Sequence, residues 1–207
     1  IINYINNWKS LLADNKDYLN IAKHIGILLY GEPGTGKTSL AMALASYIKC
    51  DIFVLNLLDY SSNAIINYID NIKNDPDYIY KNRIPIILIE DIDILFSNRD
   101  ASNDLKYKNA FNLLLQILDG VYSVPGSIII ATTNHIENLD PALIREGRFD
   151  LKVECKGLDE DEALQMINGF KVDESLLEGE TYPINPAYLQ AKIMKHKADI
   201  YLNRGMK

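Results

Sequence analysis

The sequence predicts an α/β fold: a parallel five-stranded sheet with helices on both faces, followed by a small helical lid. Three observations carry this. Short apolar runs alternate with helix-period segments between Ile25 and Cys155, the pattern of strands joined by crossover helices. The run I86-I-L-I89 is apolar at every position instead of at alternate ones, as expected of a strand covered on both faces. After Gly157 the strand signals stop and only helical segments follow.

Taken in order, Ile2, Ile5, Trp8 and Leu12 recur at helical spacing and predict a leading helix. Residues 25–30 form a short apolar run ending at Gly31, a buried strand. Residues 37–48 follow as a helix with Leu40, Ala41, Leu44, Ala45 and Ile48 on one stripe. Residues 52–57 give a second strand, and 63–72 a helix with Ile65, Ile66, Ile69 and Ile72 on one face. The third strand covers 85–91, the next helix 105–118 and the fourth strand 127–132. A short helix over 140–144 carries Pro141 in its first turn, where a missing N–H does no harm. A fifth strand covers 149–155, and helices over 159–170 and 185–196 complete the lid. The expected organisation is an N-terminal helix and linker over 1–20, an α/β domain over 21–156 and a helical lid over 157–207.

Composition sets the outer limits. The chain has 207 residues, 48 % of them apolar and 24 % charged, which is the range of an ordered globular protein. Its net charge of −7 argues against a broad phosphate-tracking surface, so nucleic acid is not an expected partner. Cys50 and Cys155 lie far apart and outside any ligand spacing, so both are expected as free thiols in a reducing compartment. No apolar run reaches the roughly 18 residues needed to span a bilayer, and no signal peptide is visible. A cytoplasmic location is the expectation for this segment. The first residue is Ile1, so an upstream part is expected to exist, with any targeting or membrane segment lying there.

The most specific motif is G31-E-P-G-T-G-K-T38, which follows a predicted strand and opens a predicted helix. Its glycines allow a tight turn that aims successive N–H groups at phosphate oxygens, and the helix start adds a positive dipole end. The expected nucleotide-binding residues are Glu32, Pro33, Gly34, Thr35, Gly36, Lys37, Thr38 and Ser39. Lys37 reaches the β- and γ-phosphates as a point charge, and the Thr38 hydroxyl ligates Mg²⁺. ATP and Mg²⁺ are therefore the expected ligands.

Two carboxylates, Glu90 and Asp91, close the third strand at the end that faces the ligand in an open α/β sheet. Glu90 is expected to hold Mg²⁺ through water, and Asp91 to orient or activate the attacking water. Asp93 is a candidate for supporting this pair or for meeting a neighbouring subunit. The segment T132-T-N134 ends the fourth strand on the same side, and Asn134 is placed to hydrogen-bond the γ-phosphate or the attacking water. Arg145 and Arg148 flank a glycine in D140-P-A-L-I-R-E-G-R-F-D150. Arg99 reads as structural. Residues 21–25 and the lid are candidate walls of an adenine pocket.

This order of motifs resembles the AAA+ ATPases from about Ile21 to the end of the chain. Within that family it resembles the Bcs-type chaperones, the subgroup of the mitochondrial translocase of the Rieske iron–sulfur protein. The inverted I89-E-D-I-D93, L95-F-S-N-R-D100, F111-N-L-L-L-Q-I-L-D-G120, T132-T-N-H-I-E-N-L-D-P-A-L-I-R145 and N185-P-A-Y-L-Q190 carry that likeness. The resemblance implies a homo-oligomeric ring of six or seven subunits that hydrolyses ATP and remodels or translocates a protein. It also implies that Arg145 and Arg148 are offered to the neighbouring subunit's nucleotide, where an arginine in trans is worth about 10³ to 10⁵ in rate. The usual acidic order in this family is Asp then Glu, so the inversion here predicts slow hydrolysis. The region N56-L-L-D-Y-S-S-N63 lacks the glycine of a peptide-gripping loop, which disfavours threading; Tyr60 reads as a packing or turn residue. Two rival functions are an ATP-dependent assembly switch with little hydrolysis and a DNA-acting loader.

Overall fold

The computed structural model describes residues 1–14, 24–75, 84–96, 105–145 and 147–204. Arg99 and residues 21–23 of the expected adenine wall lie outside the described residues. The chain divides into two compact units. The larger holds Ile1–Tyr30 and Thr38–Glu154; the smaller holds Gly31–Lys37 and Cys155–Lys207.

In the larger unit, α1 (Ile2–Asp14) precedes β1 (His24–Tyr30). Helix α2 (Lys37–Ile48) leads to β2 (Ile52–Leu55), α3 (Ser62–Lys73) and β3 (Ile86–Ile89). Helix α4 (Leu105–Leu118), β4 (Ser127–Thr133), the short α5 (Pro141–Ile144) and β5 (Leu151–Glu154) follow. The five strands are parallel throughout and lie in the order β2-β3-β4-β1-β5. The expected five-stranded α/β sheet is present.

Burial follows strand position. Each residue of β3 and β4 is buried, whereas the edge strands β2 and β5 expose part of one face. One side of the sheet contributes Leu28, Ile87, Ile89, Ile129 and Ala131 to a core shared with Ile65, Ile69 and Ile72 of α3 and five apolar residues of α4. The alternate residues Ile27, Leu29, Ile86, Leu88, Ile128 and Ile130 are 0 % exposed as well. Side chains alternate across a strand, so this second set occupies the opposite face, which is covered too. Each fully buried Ile or Leu contributes about 1.5–3 kcal/mol through removal from water.

Strands β2, β3 and β5 are shorter than the sequence predicts, for local reasons. Strand β2 stops at Leu55 because the Asn56 side chain accepts hydrogen bonds from the Leu58 and Asp59 N–H groups, replacing a ladder with a turn. Tyr60, expected to pack or to turn, is exposed beyond this turn and is not a packing residue. Strand β3 stops at Ile89 because Asp91 takes a left-handed backbone at φ 50°. Strand β5 begins at Leu151, after the Asp150 N–H has bonded to Gly26 O at 2.8 Å.

In the smaller unit, α6 (Glu160–Gly169) begins with a capping box between Asp159 and Glu162. Helix α7 (Pro186–Arg204) outruns the predicted 185–196. An antiparallel bridge between Leu158 and Ile184 joins their approaches, and Ala163, Ile167, Ile184, Leu189 and Ile193 form the unit's core.

Candidate functional site

The loop from Gly31 to Lys37 owes its shape to three glycines at positive φ, with Gly31 at 143°, Gly34 at 82° and Gly36 at 89°. L-residues rarely take this backbone, so the loop depends on glycine at these positions. The Thr35 hydroxyl donates to Glu32 O at 2.8 Å and closes the turn. The buried Lys37 ammonium donates to Gly31 O at 2.7 Å and Glu32 O at 2.9 Å, so it lies folded against its own loop. At Gly36 an added Cβ would meet no atom within 4 Å. The loop therefore leaves open space at the start of α2, where anion-binding N–H groups concentrate.

The smaller unit contributes a support that the sequence did not reveal. Asn185 Nδ2 donates to Pro33 O at 2.8 Å, and Ala187 N donates to Gly34 O at 3.1 Å. The Asn185 carbonyl oxygen also accepts from the Ala187 and Tyr188 N–H groups, capping α7. One asparagine thus caps a helix and holds the phosphate loop. The N-P-A pattern signals the cap; the long-range bond to Pro33 leaves no trace in local sequence.

Thr38 opens the larger unit's share of α2. Its hydroxyl donates to Glu90 Oε1 at 2.6 Å, bringing together two residues 52 positions apart. Both are exposed, and both offer hard oxygen donors of the kind Mg²⁺ takes. The expected pairing of a loop hydroxyl with a strand-end carboxylate is chemically suited to that ion. Ser39 is exposed beside Thr38.

The tips of β3 and β4 form a polar bracket. The Asp91 N–H donates to Thr132 Oγ1 at 2.9 Å, and Asn134 Nδ2 donates to Asp91 Oδ1 at 3.3 Å. Thr133 Oγ1 donates to Asp93 Oδ1 at 2.8 Å, and the Asn134 N–H donates to the same oxygen at 3.2 Å. The structure therefore brings Glu90, Asp91 and Asn134 to one end of the sheet, as their positions in the sequence predict.

Arg148 departs from expectation. It is 5 % exposed and grips Asp119 with two parallel bonds, Nε to Oδ1 at 2.8 Å and Nη2 to Oδ2 at 2.9 Å. Its Nη1 also donates to Ala142 O. A guanidinium held this way is buried inside its own unit, and the fork geometry makes it a clasp between the end of α4 and α5. Arg145, three residues earlier, is exposed. Asp119 could have been noticed only through its position just after a helix, since pairing across 29 residues is invisible to local pattern. The Arg148 hydrogen bond holds the Asp119 carboxyl below the ordinary carboxylate range, with burial opposing it.

Both cysteines are free thiols. Burial pushes Cys50 up to about 11 and raises Cys155 as well, so neither is poised for nucleophilic work.

The profile of the ATPase family associated with various cellular activities (AAA) matches residues 27–156. The mitochondrial chaperone BCS1 of Bos taurus is 35 % identical over 190 residues, covering 84 % of this chain and 43 % of the relative. The probable mitochondrial chaperone BCS1-A of Dictyostelium discoideum is 40 % identical over 177 residues, covering 80 % of this chain and 40 % of its own. An AAA-ATPase of Arabidopsis thaliana is 40 % identical over 144 residues, covering 64 % of this chain and 28 % of its own. The chain thus spans less than half the length of each. The names of the first two place them in mitochondria, which does not agree with the cytoplasmic location expected above. Among the described residues no helix is long and apolar enough to cross a membrane. With a family profile matching more than half of its residues, over the phosphate loop, the acidic strand end and the arginine segment, the chain belongs to the AAA family of ATPases.

Proposed function

We propose that this chain is the core of a Mg²⁺-dependent ATP hydrolase that works as a ring of six or seven copies and remodels or translocates a protein. The hydrogen bond from Thr38 to Glu90 supports it most directly, because it pairs the hydroxyl and carboxylate needed beside a triphosphate. Residues 32–39 cradle the phosphates. Lys37 leaves the loop carbonyls to meet the β- and γ-phosphates, an exchange of neutral acceptors for anionic ones. Thr38 and, through water, Glu90 would hold Mg²⁺, which would supply positive charge beside the transferred phosphoryl group. Asp91 and Asn134 already share a hydrogen bond, and a water held by both is oriented for in-line attack. Arg145 supplies the positive charge offered to a neighbour. The relatives named chaperones support a protein substrate.

A second reading, an assembly switch with little turnover, draws on the inverted Glu90–Asp91 order. Asp is one methylene shorter than Glu, and a misplacement of about 1 Å can reduce a rate roughly a hundredfold.

Turnover per subunit across a protein concentration series separates the two. The ATPase reading expects specific activity that rises with concentration and disappears in Lys37→Ala, Asp91→Asn and Arg145→Ala. ATP-driven assembly without measurable turnover at any concentration would refute hydrolysis and leave the switch.

A further inference from the structure

We propose that Asp93 is a positioning residue for ATP hydrolysis, setting the Asn134 amide against Asp91. The proposal rests on the ATPase reading above.

Parallel pairing of β3 with β4 runs to Ile89 opposite Ala131. Past that point the strands are held by side chains. Thr132 takes the Asp91 N–H, and one oxygen of Asp93 takes both the Thr133 hydroxyl and the Asn134 N–H. Asp93 is 7 % exposed, and Thr132 and Thr133 are 1 % and 0 % exposed. A carboxylate this deep is costly unless hydrogen bonds compensate it, and charge-assisted bonds are among the stronger ones available. The two donors are the hydroxyl just before Asn134 and the backbone of Asn134 itself. Asp93 thus fixes where the Asn134 side chain starts.

That side chain then reaches Asp91 at 3.3 Å, the longest bond of the bracket. Asp91 stands at φ 50°, a backbone that non-glycine residues seldom take, and its N–H is tied to Thr132. Both partners of the contact are therefore held at their backbones. With a short carboxylate in the water-orienting position, this geometry has little slack, and loosening Asn134 reduces the rate.

The test compares Asp93→Ala, Asp93→Asn, Thr133→Val, Asn134→Ala and the Asp93→Ala/Asn134→Ala pair, measuring kcat, ATP affinity and thermal midpoint for each. Asp93→Ala is expected to lower kcat about tenfold to a hundredfold with ATP affinity within about twofold of the parent. Asp93→Asn keeps an oxygen acceptor at the same place and recovers most of the loss. Thr133→Val, close in shape but lacking the donor, lowers kcat in the same selective way; together with Asp93→Asn it decides the matter if Asp93→Ala does not fold. In the Asn134→Ala background, Asp93→Ala lowers kcat no further, because the group it positions is gone. Unchanged kcat in a folded Asp93→Ala, equal losses in affinity and kcat, or losses that multiply with Asn134→Ala would overturn the proposal while leaving the ATPase reading intact. A parent that binds ATP and never hydrolyses it overturns both.

Discussion

Arg148 shows how a residue's chemistry is redirected by its surroundings. Its bidentate grip on Asp119 and its bond to Ala142 O fasten α5, from whose end Arg145 projects. Arg148→Ala removes charge-assisted bonds from a buried side chain, and a loss of about 1–3 kcal/mol is expected, read as a lower urea midpoint. Arg148→Lys recovers little, since an ammonium cannot form the fork. The pH dependence has a defined sign. The folded Asp119 carboxyl titrates below its ordinary value of 3.8, so the pair's contribution is present above that value and is lost as pH falls through the folded one. Asp119→Asn should therefore flatten the fall in stability below about pH 4, where acid titrates the carboxylate of the parent. Its side chain is 44 % exposed, so the pH effect is smaller than the loss from deleting Arg148. The sequence marked Arg145 and Arg148 alike as arginines for a neighbour. Only the buried partner separates them, and a contact 29 residues away carries no local signature.

At the scale of elements, the strands and helices were readable because their periods are strong and their flanks carry turn residues. Boundaries were less so. Strand β2 ends two residues early because Asn56 turns its own backbone, and β3 ends early because Asp91 is left-handed. Both are single-residue effects that apolar periodicity averages over. The phosphate loop was fully legible as a motif, but its bracing by Asn185 was not. That bracing gives Gly34 a second constraint beyond its positive φ. A Cβ there would lie 2.7 Å from Asn185 Oδ1 and 3.2 Å from Ala187 Cβ. Gly34→Ala thus strains the loop and pushes against the start of α7 together. Titration with a fluorescent ATP analogue should show affinity reduced at least about tenfold. Gly179→Ala is the control: its φ is also positive, at 78°, but no atom lies within 4 Å of the added Cβ. It should lower the thermal midpoint slightly and leave affinity unchanged. Equal affinities in the two variants would show that the bracing does not reach the nucleotide.

The behaviour of the whole molecule turns on whether each active site draws on two chains. Glu90, Asp91 and Asn134 are proposed to act on the nucleotide held by their own chain, and exposed Arg145 on its neighbour's. In a ring with head-to-tail contacts these two contributions meet at every interface. They can be separated by mixing two variants, each inactive alone. Asp91→Asn keeps Arg145 but cannot activate water. Arg145→Ala keeps Asp91 but offers no charge to its neighbour. In a ring assembled from equal amounts of both, an interface is complete wherever an Arg145→Ala chain supplies Asp91 and an Asp91→Asn chain supplies Arg145. Random mixing makes about a quarter of the interfaces complete, so turnover should return to about a quarter of the parent's if sites fire independently, and to less if they fire in concert. The mixture must be made by co-expression, so that exchange between preformed rings does not limit assembly. Recovery of activity identifies sites shared between chains and rules out an arginine that serves its own nucleotide. If the mixture stays as inactive as its parts while parent chains placed in Asp91→Asn rings still turn over, which excludes fully concerted firing, Arg145 acts within its own chain and the shared-site reading is wrong.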